Sequence, residues 1–333
     1  MATPLESRRI VIAGASSLLG AELKTLLEES RFAASDFRLV DEEAFAAILT
    51  EAGGEPSVIQ PVEEDSFNKA WMVFFTGSPA FSKRNYSLAK KSGARIVDLS
   101  GEFAGHANSQ TWLAKLDELG GIASSKEASI FVVPSAPAEM IALLTIAMRA
   151  FKPSALTAVA FQSASSAGKA GVQELESQTG QLLSFQPLGK EVFDAQVAFT
   201  MLDRFGPGSH HNLQSSLDIL RREVRSCLPD DIRTPALQLL HAPVYHGTTV
   251  TACAQLDSAA DAAALVESCA SCGFRITTDA APDNITSAGE SSLQLAPPRP
   301  DLSNPGVWWF WAAADNLRSP AANAVKLAEK LLA

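Results

Sequence analysis

A chain of 333 residues is long enough for two domains, each with a sizeable core. With 47% apolar and 19% charged residues it folds rather than stays disordered, and a formal net charge of −10 argues against nucleic acid or an anionic membrane as partner. No apolar run reaches the length of a membrane span, no signal-peptide core precedes the first strand, and four cysteines make no dense disulfide framework, so a cytoplasmic protein is expected.

Ile10 to Ala13 read as a buried strand, followed by Gly14-Ala15-Ser16-Ser17-Leu18-Leu19-Gly20 and the helical Leu23, Leu26 and Leu27. Strand, glycine-bounded turn and helix open a doubly wound sheet, with backbone N–H groups and the helix N-terminus facing a pyrophosphate. The middle glycine of that fingerprint is Ser17 here, so the segment also reads as a tight turn that binds nothing. The next strand, Phe37 to Val40, ends at Asp41, close to the usual spacing of about 20 residues beyond the loop. A carboxylate there accepts from a ribose 2′-hydroxyl and repels a 2′-phosphate; the other reading is a solvated acid heading Asp41-Glu42-Glu43. Met72 to Thr76 is a strand that empties into Gly77-Ser78-Pro79, with Ser82 expected to cap the following helix. Arg95 to Leu99 and Phe131 to Val133 are further strands. The last runs into Pro134-Ser135-Ala136-Pro137 and a helix expected from Ala138 to Phe151. A strand–turn–helix of this kind is a place for a nucleophile, yet the turn offers one hydroxyl, Ser135, and no thiol.

The second half is α+β with one-sided strands. Leu156 to Phe161 is a strand, Gln162 to Lys169 a loop of small residues, and Ala170 to Leu183 a helix. Phe185 to His211 is loop-rich, and its His210-His211 pair reads as surface rather than as metal ligands. A helix from Leu217 to Cys227 is followed by strands at Leu237–Leu240, Thr248–Leu256 in strict alternation, Phe274–Thr277 and Val307–Ala313. Cys269 and Cys272 fall in an apparent helix over 259–272 and read as two packed thiols, with no metal expected. Trp308 and Trp309 point to opposite faces of their strand, one of them toward a second layer. An amphipathic helix from Ala321 to Leu332 ends the chain.

Taken in order, these motifs resemble the aspartate-semialdehyde dehydrogenase family over almost the whole chain. Gly14-Ala15 through Gly20 is similar to its first cofactor loop and Thr76-Gly77-Ser78 to its second. Val97-Asp98-Leu99-Ser100-Gly101-Glu102-Phe103 is similar to its Asp-Asn-Ser-Ser-Ala-Phe-Arg segment. Val133-Pro134-Ser135-Ala136 sits where the family has Asn-Pro-Asn-Cys. Gln162 through Ser165-Ser166-Ala167-Gly168-Lys169 matches its Tyr-Gln-x-x-Ser-Gly-Ala-Gly-Lys, Ala242-Pro243-Val244 through Gly247-Thr248 its Val-Pro-Val-x-x-Gly-His, and Asp315-Asn316-Leu317-Arg318 its Asp-Asn-Leu-Arg.

The resemblance implies a Rossmann-type doubly wound sheet over 1–136 plus 316–333, and an α+β dimerisation domain over 137–315, of the kind found at the C-terminus of glyceraldehyde-3-phosphate dehydrogenase. It implies NAD or NADP at Gly14, Ala15, Ser16, Ser17, Gly20, Asp41, Thr76, Gly77, Ser165, Gly168 and Asn316, with Asp41 favouring NAD. In the family a cysteine thiolate attacks the aldehyde, hydride passes to the nicotinamide and phosphate cleaves the thioester; a histidine is the base, and two arginines hold carboxylate and phosphate. By the same correspondence the cysteine is Ala136, the histidine Thr248, and the arginines His241 and Ala104; Gln162 alone is retained. Ser135, served by His241 or His246, is the substitute nucleophile to consider. The expectation is a catalytically degenerate, dinucleotide-binding homodimer related to an enzyme of amino-acid biosynthesis. The alternative is an active NAD(P)-dependent oxidoreductase with a rebuilt site and a different substrate.

Overall fold

The computed structural model describes residues 8–45, 49–52, 55–120, 128–256 and 260–332. The chain divides into two compact units, Met1–Ser135 with Pro320–Ala333, and Ala136–Ser319.

The first unit runs β1 (Arg9–Ala13), α1 (Leu18–Glu28), β2 (Asp36–Asp41), β3 (Leu49–Ala52), β4 (Glu55–Val58), β5 (Gln60–Pro61), β6 (Ala70–Phe75), α2 (Pro79–Lys91), β7 (Arg95–Asp98), β8 (Ser109–Thr111), α3 (Ala114–Glu118) and β9 (Ile130–Val132). Its sheet has the order β5-β2-β1-β6-β7-β9-β8 with every described pair parallel. Parallel strands covered on both faces are continuous apolar runs, which is why Ile10-Val11-Ile12 carries no polar residue. Ile10, Ile12, Phe74, Val97 and Phe131 pack on one side with Leu23 and Leu27 of α1 and with Ala324, Leu327 and Ala328 of the C-terminal helix, Arg318–Leu332. Val11, Val73, Phe75, Ile96 and Val132 pack on the other with Phe81 and Ala89 of α2. Ser82, expected as a cap, is instead buried inside α2; Ser78 is the N-cap, its hydroxyl accepting from the Phe81 N–H, with Pro79 in the first turn. Proline is tolerated there because the N–H it lacks would have no helical partner. The β3–β4 hairpin, β8 and α3 have no counterpart among the expected elements.

The second unit runs α4 (Ala136–Met148), β10 (Pro153–Gln162), α5 (Gly168–Leu183), α6 (Leu213–Cys227), β11 (Ala236–His241), β12 (Thr248–Leu256), α7 (Ala262–Ser271), β13 (Phe274–Ile276), β14 (Leu293–Leu295), β15 (Arg299–Pro300) and β16 (Val307–Ala314). The sheet order is β11-β10-β12-β16-β14-β13, with β15 beside β16. The β10–β11 and β13–β14 pairs are parallel and the others antiparallel. Helix α4 begins at Ala136 rather than Ala138, Pro137 again falling in a first turn; it is buried almost throughout and packs against β12, α6 and α7. Strand β12 alternates as its sequence does, with Thr248, Val250, Ala252, Ala254 and Leu256 buried and the residues between them half-exposed. In β16 Trp308 is buried, whereas Trp309 and Trp311 stand exposed on the opposite face.

Cys269 and Cys272 are free and buried, and burial pushes the Cys269 thiol up to about 12. Helix α7 covers only part of the expected 259–272 helix, and residue 259 lies outside the described residues. Among the described residues no three His, Cys, Asp or Glu side chains are grouped to hold a metal ion, and no helix is long and apolar enough to cross a membrane.

Candidate functional site

In the second unit, strand register sets the expected catalytic positions side by side. Gln162 ends β10 opposite His241 of β11 and opposite Thr248 of β12, and Thr248 faces Ala314 of β16. Thr248 is buried, and its hydroxyl donates to the Phe161 carbonyl at 3.1 Å. His241 is fully buried, its ring 5.5 Å from that of Phe193 and 5.4 Å from that of Phe205. Its backbone pairs with Leu202, but neither ring nitrogen has a hydrogen-bond partner. Desolvation disfavours the imidazolium and pulls the pKa down to about 4. At neutral pH His241 is therefore an uncharged aromatic in a core, which removes it as a cation, and burial makes its ring a weak base. His246, the other base considered, is half-exposed just before Gly247.

The aromatic box depends on two residues that the motifs did not single out. Glu174 of α5 accepts from the N–H groups of Val192 (2.5 Å) and Phe193 (3.1 Å). Gln178, one turn on, accepts from Val197 (2.8 Å) and Ala198 (3.2 Å) and donates to the carbonyls of Gly189 (2.8 Å) and Ala195 (3.0 Å). Polar residues four apart on the buried face of a helix were the available signal, since such groups need buried partners.

Ser165 and Asn316 come together, the Asn316 amide donating to the Ser165 hydroxyl at 3.0 Å and accepting from the Gly247 N–H at 2.7 Å. Gly168, at φ +72°, opens α5. Ala136 is the first residue of α4, its methyl fully buried. Ser135, which ends the first segment of the first unit, is half-exposed.

In the first unit, Gly14 has φ +94°, and a Cβ there would strike the backbone of Gly77. A Cβ on Gly20 would lie 2.5 Å from the Gly14 carbonyl oxygen and 2.9 Å from the Thr76 hydroxyl. The two loops thus touch backbone to backbone, and Thr76, buried, donates its hydroxyl to the Gly14 carbonyl at 3.0 Å. Ser17 caps α1: its hydroxyl accepts from the Gly20 N–H and donates to the Thr76 carbonyl, both at 2.9 Å. The Ala15 N–H donates to the Val40 carbonyl. Asp41 is not the solvated acid of the alternative reading but is buried, only 5% exposed. One of its oxygens accepts from the Ser16 N–H (2.8 Å) and hydroxyl (2.6 Å), the other from the Glu42 N–H (2.8 Å). Glu42 instead pairs with Arg84.

Ala104 is fully buried in the core that holds Phe75, Phe81 and Phe103. Asp98 folds the turn that places it there, accepting from the Ser100 hydroxyl (2.5 Å) and from the N–H groups of Ser100 (2.9 Å) and Phe103 (3.0 Å). Burial raises the Asp98 pKa against those bonds.

The profile of the semialdehyde dehydrogenase dimerisation domain matches residues 143–319, more than half of the chain and the stretch that contains Gln162, His241 and Thr248. The chain belongs to the semialdehyde dehydrogenase family. A USG-1 protein homolog of Azotobacter vinelandii is 28% identical over 97% of each chain. The aspartate-semialdehyde dehydrogenase of Legionella pneumophila is 25% identical over 97% of this chain and 95% of that one. Aspartate semialdehyde dehydrogenase II of Vibrio cholerae superposes with a TM-score of 0.86 at 22% identity, covering 97% of this chain and 98% of that one, a likeness of fold. The chain is thus a homologue of aspartate-semialdehyde dehydrogenase, and the expected pairing of a parallel Rossmann-type sheet with an α+β sheet stands.

Proposed function

We propose that the protein is a catalytically silent homodimer of this family, one that keeps the fold and has lost the reaction. The observation that carries this reading is Ala136, a buried methyl at the start of α4 where the family's nucleophile stands by resemblance. Without a thiolate there is no thiohemiacetal from which hydride leaves. The other positions support the same reading. Thr248 has its hydroxyl donated to a carbonyl and does not accept a proton near neutral pH. His241 is uncharged, and Ala104 is a methyl in a core. Neither replaces a guanidinium, whose planar fork and fixed charge bind carboxylate and phosphate.

A homodimer follows from the family's dimerisation domain, and the half-exposed face of the second unit's sheet is the surface proposed for it. At the nucleotide end, Asp41 sets the preference: a carboxylate repels a 2′-phosphate, so NAD is taken before NADP.

The test is phosphate-dependent nicotinamide reduction with aspartate semialdehyde. No rate above the protein-free blank is expected from the unmodified protein. None is expected from Ala136→Cys either, because a thiol of pKa ~8.5 without a base is mostly protonated at neutral pH. A rate abolished by changing Ser135 or His246 would overturn the reading. Reversion of His241 and Ala104 to arginine is expected to destabilise the fold, since each charge would enter an apolar core.

A further inference from the structure

We propose that the dinucleotide cradle of the first unit is held closed by its own side chains, Ser16 standing in for the ribose and Ser17 for a phosphate. This rests on reading Gly14–Gly20 with Asp41 as the cradle. A phosphate-binding loop works because its backbone donors face the anion. Here five of the loop's backbone donors are spent inside the protein. The N–H groups of Gly14 and Ala15 go to the Val40 carbonyl, that of Ser16 to Asp41, that of Ser17 to the Gly14 carbonyl, and that of Gly20 to the Ser17 hydroxyl. The Ser17 side chain occupies the place where the fingerprint has a glycine so that the pyrophosphate can come close.

The ribose end is closed in the same way. A carboxylate offers roughly four acceptor positions. Three of those on Asp41 are taken, by the Ser16 N–H, the Ser16 hydroxyl and the Glu42 N–H. A ribose cis-diol needs two, so binding requires the 2.6 Å bond from the Ser16 hydroxyl to break. That bond is charge-assisted and short, of the class whose loss costs about ten- to a hundredfold in affinity. The glycines do not argue for an open site. Gly14 and Gly20 are required by the contact of the loop with Gly77 and Thr76, whether or not a ligand is present.

Ser16→Ala frees an acceptor position on Asp41 while the Ser16 backbone bond persists. Ser17→Gly frees the Gly20 N–H and restores the glycine, and glycine is tolerated at an N-cap. NAD is titrated into the full-length protein and into the Ser16→Ala/Ser17→Gly variant by calorimetry, with melting curves confirming that each is folded. The unmodified protein is expected to bind in the millimolar range and the double variant at least tenfold more tightly. Adding Asp41→Ala should erase the part of the gain that Ser16→Ala brings. A micromolar Kd for the unmodified protein would overturn the closure and leave the cradle reading standing. No binding by a folded double variant, or a Ser16→Ala gain that survives Asp41→Ala, would overturn the cradle reading together with the closure. Should the double variant not fold, Ser16→Ala alone carries the test, with the same tenfold expectation and the same reversal if its affinity is unchanged.

Discussion

His241 shows how a single position changes meaning once its surroundings are known. The strand was expected at Leu237–Leu240 and runs on to include His241, and the match of His241 to an arginine position came from the order of motifs. Phe193 and Phe205, which enclose the ring, come from a loop far back in the chain with no periodicity to announce the contact. The consequence is a pH dependence with a definite sign. The folded-state pKa is about 4, below the ordinary 6.5, so the unfolded chain binds the proton more readily. The stability that His241 contributes is fully present above pH 6.5 and is lost as pH falls toward 4, by about 3 kcal/mol in all. His241→Phe should flatten that slope at the cost of a modest overpacking penalty. Some slope should remain from His211, whose pKa is lowered by burial and by His210. Urea midpoints for both proteins at pH 7 and pH 4.5 measure this, and equal losses in the two would remove His241 as the cause.

At the scale of elements, strong periodicity was read correctly and weak or interrupted patterns were not. Thr248–Leu256 was read to the residue because a strand buried on one face must alternate. The start of α2 was missed because Pro79 reads as a breaker although it fits a first turn. The β3–β4 hairpin and β8 are short and carry few apolar residues. The largest gap concerns α5, whose Glu174 and Gln178 organise the long loop behind the sheet. Gln178→Ala would leave two buried N–H donors and two carbonyls without that partner, groups that cost about 1–3 kcal/mol each when unpaired. The expected outcome is a loss of at least ~3 kcal/mol in urea unfolding, together with faster proteolysis between Gln186 and Ser209. Gln178→Glu keeps the acceptor and loses the donors, so it should fall between the two. A loop as protease-resistant as before would show that packing, not Gln178, holds it.

The whole-molecule expectation concerns the sheet of the second unit, which buries one face and leaves the other half-exposed. On that open face Trp309 lies beside Cys253, and Trp311 beside Thr251, in adjacent strands, with Val159 and Thr157 one strand further over. Neither tryptophan is loose: the Trp309 indole N–H donates to Asp301 at 3.0 Å, and that of Trp311 to the Pro282 carbonyl at 2.7 Å. The bond from Trp309 comes first among the contacts that hold the Asp301 carboxyl at about 2. Two large rings fixed at their polar edges, with apolar faces outward, lose little freedom on being covered, which is what an association anchor requires. A second copy of the same face is the occupant favoured by the family's dimerisation domain. The protein should therefore sediment as a dimer at micromolar concentration. Trp309→Glu with Trp311→Glu should weaken the dimer at least a hundredfold, about 2.7 kcal/mol, because each change puts a charge into the face that association would take out of water. Helical content should persist, since both side chains are exposed in the protomer. A monomeric unmodified protein, or a double variant that stays dimeric, would move the interface off this face.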